Sequence, residues 1–133
     1  MKCYFNQKLI DPSEANINMM SPTAQFGINI FEGIRAYYDQ KTNSYMLFRI
    51  EDHLKRLYES AKIASLEIAE SKDQILDSLT KVIKTADFKR DIALRLIAYQ
   101  PKEGSWHDEQ LCSIFISPMQ LKRKVSKRSL SAQ

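Results

Sequence analysis

The sequence has few of the residues that mark several common protein classes. Its 133 residues include three glycines, two cysteines, two histidines and one tryptophan. Two cysteines in different segments, without CxxC spacing, indicate neither a disulfide framework nor a zinc site, so no metal ligand is assigned. No apolar run approaches the roughly 18 residues that a membrane span needs, and the N-terminal segment is too polar for a signal peptide. We therefore expect a cytoplasmic protein without membrane contact.

The residues that are abundant fit one compact domain. Hydrophobic residues make up 44% of the chain and charged residues 27%, which is ordinary for a folded globular protein. Residues 119–133 hold five basic residues and no acidic one, so the formal net charge of +4 leaves residues 1–118 at −1. Because this basic run lacks interleaved aromatic residues or a binding motif, we predict a flexible tail rather than a nucleic-acid-binding arm.

Hydrophobic periodicity predicts an α+β fold for residues 1–118. A helical period begins at Ile50, and the capping-box pattern SKDQ predicts a second helix from Ser71. Strand-like segments are predicted as a short pair within residues 2–10, a hairpin of residues 33–38 and 44–50, and two apolar strands at residues 91–99 and 111–117, with a loop over residues 11–24. This order favours a largely antiparallel sheet with two main helices packed on one face.

Three arginines occupy positions where arginine is unusual. Arg35 and Arg95 interrupt apolar strands, and Arg56 lies at the margin of the apolar stripe of the first predicted helix. A strand arginine often faces solvent, whereas a marginal helix arginine can either extend into water or bind an anion. His53, near the middle of the stripe, is more often a hydrogen-bonded core residue than a ligand.

The segment FGINIFEGIRAYY, residues 26–38, holds two of the three glycines. Glycine permits a positive φ angle or a close approach of the backbone to a ligand. The spacing of Gly27 and Gly33 does not match the GxGxxG dinucleotide fingerprint. Glu32, between them, has neither a second carboxylate nor a Ser-His-Asp set nearby in sequence, so no catalytic residue is assigned.

Two motifs together resemble one enzyme family. FEGIRAY, followed by FRIEDHLKRL with its F-R-x-x-x-H-x-x-R-L spacing, resembles the N-terminal small domain of fold-type IV pyridoxal-phosphate aminotransferases, most of all the branched-chain amino acid aminotransferases. The resemblance extends more loosely through DIALRLIAY and LCSIFISP. It implies the small domain of the D-amino acid aminotransferase-like fold.

The resemblance implies a role for several residues. It assigns Arg56 to the phosphate of the cofactor pyridoxal 5'-phosphate, which suits the affinity of guanidinium for phosphate. It assigns the substrate pocket to Phe26, Phe31, Gly33, Arg35 and Arg95. The resemblance therefore implies that Arg35, Arg56 and Arg95 surround one shared recess that receives the cofactor.

Two positions depart from the family pattern, and one essential residue has no match. Phe26 stands where the family usually has tyrosine, and Ala93 stands where branched-chain enzymes have tyrosine, so the identity of the substrate is open. The Schiff-base lysine of the family has no counterpart, because the tail lysines Lys122, Lys124 and Lys127 lack its K-x-x-x-N-Y context. We therefore do not expect the chain to bind the cofactor covalently.

The resemblance leads to one expectation and two alternatives. The chain is expected to be the N-terminal portion of a branched-chain amino acid aminotransferase, inactive alone, whose parent enzyme transfers an amino group between a branched-chain amino acid and 2-oxoglutarate. A D-amino acid aminotransferase or an aminodeoxychorismate lyase shares this domain, and a noncatalytic anion-binding or interaction module is the other alternative. The family forms homodimers in which a small-domain loop approaches the neighbouring active site, and residues 100–110 are the expected equivalent.

Overall fold

The structure is a computed structural model that describes residues 1–106 and 109–120. Its helices and strands are β1 (Cys3–Phe5), β2 (Lys8–Ile10), a 3-10 helix (Pro12–Glu14), α1 (Pro22–Phe26), β3 (Asn29–Asp39), β4 (Ser44–Leu47), α2 (Ile50–Ile63), β5 (Glu67–Ile68), α3 (Lys72–Thr85), β6 (Ile92–Tyr99) and β7 (Leu111–Gln120).

One sheet organises the described residues. Its strands follow the order β2-β1-β7-β6-β3-β4, with antiparallel pairs throughout, and the short β5 pairs in parallel with β7 outside that path. The helices α2 and α3 contact β3 and β7. The predicted α+β fold, with a largely antiparallel sheet and two main helices, is confirmed.

Alternation along the strands decides which side chains face the helices. In β3, Glu32, Ile34 and Ala36 are buried, whereas the residues between them are exposed, as expected for side chains that point to opposite faces of a strand. The fully buried core side chains are Ile34, Leu54, Leu57, Ile75, Leu79, Val82, Ile92, Leu94, Leu96, Ile114 and Ile116. The opposite, open face of β3 and β6 carries four of the residues that the sequence predicted to contact a ligand, Phe31, Gly33, Arg35 and Arg95.

The second predicted helix begins as its sequence indicated. The Ser71 hydroxyl accepts a hydrogen bond from the Gln74 backbone N–H at 3.3 Å, and the Gln74 side chain accepts one from the Ser71 N–H at 2.8 Å. Two N–H groups that would otherwise lack a helical partner are thus satisfied. The first predicted helix is also confirmed, as α2 from Ile50.

Replacing Ser71 with alanine should lower the free energy of unfolding by about 1 kcal/mol, because it removes the hydroxyl that accepts the Gln74 N–H. Urea denaturation followed by circular dichroism measures the change. Ser71→Asn, which keeps a side-chain acceptor at the helix N-cap, should retain most of the stability. Equal losses for the two variants would contradict the assigned role of the hydroxyl.

Two elements differ from the predicted ones. β3 begins at Asn29 rather than near Gly33, because residues 29–36 pair with residues 92–99 of β6, a partner distant in sequence. The predicted loop of residues 11–24 contains a 3-10 helix and the start of α1. Ser21 caps α1 by accepting from the Ala24 N–H at 3.2 Å, and Pro22 occupies its first turn.

The remaining whole-chain predictions have mixed outcomes. Met119 and Gln120 are the last residues of β7, and residues 121–133 lie outside the described part, so the flexible basic tail stays a prediction. Cys3 and Cys112 are free and buried, and burial raises the pKa of the Cys112 thiol to about 11. Within the described ranges, no helix has both the length and the apolar character needed to cross a bilayer.

Candidate functional site

The two sequence motifs meet at a buried carboxylate. Arg56 Nε donates hydrogen bonds to both oxygens of Glu32, at 2.8 and 3.1 Å, and His53 Nδ1 lies 3.1 Å from Glu32 Oε1. The strand places Glu32 on the face that contacts α2. His53 and Arg56 are three residues apart on α2 and so lie on the same helix face. Glu32 thereby joins the strand motif to the helix motif.

Burial is unequal across this ion pair. The Glu32 side chain is 8% exposed and that of Arg56 is 63% exposed. The hydrogen bonds and the charge of Glu32 raise the pKa of Arg56, so the guanidinium stays cationic. Because Nε is held by Glu32, the other nitrogens of the guanidinium are available to a ligand from solvent.

A cavity of about 330 Å³ lies beside this ion pair, lined by Phe48, Arg49, Asp52, His53 and Arg56. Arg49 is engaged, since its Nε lies 2.8 Å from Asp52. Arg49 also precedes α2 with φ 52° and makes no side-chain cap bond, and two carboxylates in the first turn of α2, one of them that of Asp52, offset the positive field of the helix N-terminus. The cavity therefore offers a phosphate group the cationic guanidinium of Arg56, whereas none of the described residues that line it is a lysine that could hold an aldehyde.

The open face of the sheet collects most of the predicted substrate residues. Phe31, Gly33 and Arg35 alternate along this face of β3 and are exposed. In register, Gly33 lies opposite Arg95 and Arg35 lies opposite Ala93 on β6. A Cβ atom built on Gly33 would meet no atom within 4 Å, so the space above this glycine is open. Arg35 and Arg95 are thus neighbours on the open face, beside the open space above Gly33.

Phe26 and Gly27 lie where α1 ends. Phe26 is the last residue of α1 and is exposed. Gly27 has φ 68°, and its N–H donates to the Thr23 carbonyl at 3.0 Å, an αL helix ending that glycine adopts with the least strain. Of the two glycines in the motif, only Gly27 is required by a turn, because Gly33 has ordinary strand conformation.

The three arginines do not share one recess in the described part of the chain. Arg35 and Arg95 lie on the open face, whereas Arg56 binds Glu32 on the helix-facing side of β3. The expectation of a single recess overlooked the alternation of strand side chains. β4 pairs with residues 36–39 of β3, and the Phe48 N–H donates to the Arg35 carbonyl at 2.9 Å, so within the described ranges residues 29–34 of β3 present a strand edge between the two faces.

The predicted dimer loop, residues 100–110, is anchored near α1. Glu103 accepts a hydrogen bond from the Asn18 side chain at 3.1 Å, and the Gly104 N–H donates to the Met20 carbonyl at 3.1 Å. Residues 107 and 108 lie outside the described part. The expected approach of this loop to a neighbouring active site stays a prediction.

Sequence reasoning missed Glu32. Near Glu32 the sequence has no second carboxylate and no catalytic set, so its neighbours in the chain indicate no role for it. The alternation of strand side chains could have identified it, because Glu32 lies two and four residues before Ile34 and Ala36 and therefore on the same face of the strand. A carboxylate on a buried face requires a cationic or hydrogen-bonding partner.

The chain is similar to known aminotransferases. The family model described as amino-transferase class IV matches residues 29–129. A probable branched-chain-amino-acid aminotransferase of Aquifex aeolicus is 27% identical over 96 residues, or 72% of this chain and 31% of that protein. A putative branched-chain-amino-acid aminotransferase of Methanocaldococcus jannaschii is 31% identical over 97 residues, or 73% of this chain and 31% of that protein.

Solved structures show the same likeness. The branched-chain aminotransferase of Thermoproteus uzoniensis with norvaline superposes with a TM-score of 0.82 at 29% identity, covering 92% of this chain and 41% of that one. The Escherichia coli branched-chain amino acid aminotransferase has a TM-score of 0.82 at 22% identity and supports the fold alone. The chain spans about a third of the length of the curated relatives it matches.

Proposed function

We propose a function from one established premise, that the chain belongs to the class IV aminotransferase family. The proposal is that it supplies the N-terminal small domain of a branched-chain amino acid aminotransferase. The parent enzyme would transfer an amino group between a branched-chain amino acid and 2-oxoglutarate. The branched-chain names of the relatives reported above support this choice within the family.

One observation carries the proposal. Glu32 from the FEGIR motif binds Arg56 from the helix motif at 2.8 Å, so two segments that resemble the family separately form one structural unit. Desolvation of the buried Glu32 carboxylate costs free energy. An arginine whose only role was to face solvent would not require such a partner. A phosphate-binding arginine needs a guanidinium that is fixed in position and still has N–H donors available for the phosphate.

Arg56 would hold the phosphate of pyridoxal 5'-phosphate, on which the family depends. When bound, that cofactor supplies the electron sink for amino transfer. Glu32 orients the Arg56 guanidinium, and His53 contacts the same carboxylate. The described residues fit the phosphate end of the cofactor, whereas the lysine for its aldehyde end would come from another part of the polypeptide.

The open face would bind the substrate. Arg35 and Arg95 have no carboxylate partner among the residues that the structure describes. Two free guanidinium groups suit the carboxylates of an amino acid and of 2-oxoglutarate. Phe31, exposed on the same face, would contact the apolar side chain of a branched-chain amino acid, and Gly33 leaves it clearance.

The strand edge between the two faces supports one composite site. Residues 29–34 of β3 have no β4 partner within the described ranges, so a ligand at this edge would lie between the Glu32–Arg56 pair on one face and Phe31 and Gly33 on the other. A homodimer is part of the proposal, because Met19, Phe26 and Trp106 expose apolar surface beside the anchored loop. The cytoplasmic location stays a prediction from the sequence.

Incubation of the chain with pyridoxal phosphate, leucine and 2-oxoglutarate tests whether it is one domain of the enzyme. We expect no glutamate and no saturable imine absorbance band, because no lysine among the described residues lines the cavity beside Arg56. Fusion to the C-terminal domain of a branched-chain relative should bring leucine-dependent glutamate formation, and the same fusion carrying Arg56→Ala should need about a 10- to 100-fold higher cofactor concentration for half-maximal activity. Amino transfer by the unfused chain, or an unchanged cofactor requirement of the Arg56→Ala fusion, would contradict the proposal.

A further inference from the structure

We propose that His53 is a positioning residue, which fixes the Glu32 carboxylate and, through it, the orientation in which Arg56 presents its outer N–H groups to a phosphate. This role rests on the proposed function, because it concerns the same cavity. It gives the histidine of the FRIEDHLKRL motif a part in phosphate binding that does not require contact with the phosphate.

The Glu32 carboxylate receives hydrogen bonds from two side chains. Arg56 Nε lies 2.8 Å from Oε1 and 3.1 Å from Oε2, and His53 Nδ1 lies 3.1 Å from Oε1. An ionised carboxylate only accepts hydrogen bonds, so Nδ1 of His53 must carry the proton that is shared in this contact. The contact with Glu32 therefore fixes the Nδ1–H tautomer of the neutral imidazole ring.

Arg56 alone would not fix the Glu32 carboxylate. The last torsion of a glutamate side chain has a broad range of preferred angles, and Arg56 contacts both oxygens through a single nitrogen. The carboxylate could therefore turn about that nitrogen, and the guanidinium would turn with it. A second donor at Oε1 removes this freedom, in the way that outer hydrogen-bond partners orient the ligands of a metal site.

The exposure of the three side chains fits this division of roles. The side chains of Glu32 and His53 are 8% and 18% exposed, whereas that of Arg56 is 63% exposed. The two buried groups are held by the surrounding protein, while the arginine extends into solvent, where its side chain would otherwise sample several rotamers. Fixing the guanidinium before the phosphate arrives lowers the entropy cost of binding.

Two other roles of His53 make different predictions. His53 lines the cavity beside Arg56, so a direct contact with the phosphate is one of them, and its loss would add to the loss of Arg56. A purely structural histidine is the other, and its replacement would leave phosphate binding by the folded chain unchanged. The positioning role predicts a loss of affinity that depends on the presence of Arg56.

Equilibrium dialysis with pyridoxamine 5'-phosphate, below the Tm of every variant, tests the role on the whole chain. His53→Leu, which removes the donor, should weaken binding by about 3- to 10-fold, the range expected for loss of one hydrogen bond. His53→Asn should retain most of the affinity, because its amide nitrogen occupies the place of Nδ1. Equal losses for the two variants, or an unchanged affinity of His53→Leu, would overturn the proposal.

A double-variant cycle shows whether His53 acts through Arg56. When Arg56→Ala is already present, adding His53→Leu should cause no further loss of affinity, because the guanidinium that His53 positions is gone. Additive losses would show that His53 contacts the phosphate itself and would also overturn the proposal.

The ¹H–¹⁵N signal of the Arg56 Nε–H reports the orientation of the guanidinium without any phosphate. It should be sharp in the unmodified chain and in His53→Asn, and broadened in His53→Leu. An unchanged signal in His53→Leu would overturn the positioning role, whether or not the chain binds the phosphate. Broadening in His53→Leu, combined with no affinity of the unmodified chain for pyridoxamine phosphate, would support the positioning of Arg56 and contradict the proposed function.

The unmodified chain provides the test if His53→Leu does not fold. The ¹⁵N chemical shifts of the neutral His53 ring identify the nitrogen that carries the proton. A proton on Nδ1 is the expected result, because Glu32 can only accept. A proton on Nε2 alone would show that His53 does not donate to Glu32 and would overturn the proposal.

Discussion

Replacing Arg56 with alanine should weaken binding of pyridoxamine 5'-phosphate by about 10- to 100-fold, the range expected for loss of a hydrogen-bonded cation at a phosphate. Arg56 lines the cavity and is held at Nε by the buried Glu32, whereas Arg49 pairs with Asp52, whose side chain is 64% exposed. Pyridoxamine phosphate is the appropriate probe because it lacks the aldehyde that would react with surface lysines. Equilibrium dialysis measures its affinity.

The controls separate a phosphate contact from a general effect of charge. Lys55→Ala removes the same charge from the adjacent residue of α2, where Lys55 is exposed and 4.0 Å from Glu59, and should leave the affinity unchanged. Arg56→Lys should recover only part of the affinity, because lysine keeps the charge without the planar fork. Pyridoxamine without phosphate should bind equally weakly to all variants. Equal losses for Lys55→Ala and Arg56→Ala would remove the basis for the phosphate assignment.

Replacing Leu94 with alanine should have the largest effect on stability, a loss of about 2–5 kcal/mol in the free energy of unfolding. Leu94 is 0% exposed near the middle of β6 and lies in register with Ile34 on β3 and Pro118 on β7. Truncation at this position leaves a cavity between the sheet and its helices, because the flanking strands hold their spacing. Urea denaturation followed by circular dichroism measures the loss.

Leu111→Ala is the matched control for this prediction. Leu111 is the first residue of β7 and is 53% exposed, so the same change of side chain removes little buried surface. We expect a loss below about 1 kcal/mol at this position. Similar losses for the two variants would show that Leu94 does not lie in the core as described.

Local signals in the sequence predicted most of the fold. The capping box located the start of α3, the helical period located α2, and segments rich in apolar, aromatic and branched residues located the hairpin and the two late strands. These features depend on residues within a few positions of one another. The first half of β3 was missed because its pairing with β6 joins segments about sixty residues apart.

The candidate site likewise contains a residue that the sequence could identify and a contact that it could not. Arg56 could be singled out from its marginal position on the helix, and the resemblance of two motifs to one family supplied its role. Glu32 could not be paired with Arg56 from the sequence, because the contact joins residues 24 positions apart on different elements. The burial of Glu70 could likewise not be predicted from the sequence, because it depends on packing against residues distant in the chain.

The sequence by itself determined the family, the fold class and the identity of the arginines, because motif spacing and hydrophobic period are properties of neighbouring residues. The tertiary structure alone decided which arginines lie together. One residue along a strand reverses the face of a side chain, so Arg35 and Arg95 share the open face while Arg56 reaches Glu32 from the helix side. Strand register and helix docking, which depend on contacts distant in sequence, decide that arrangement.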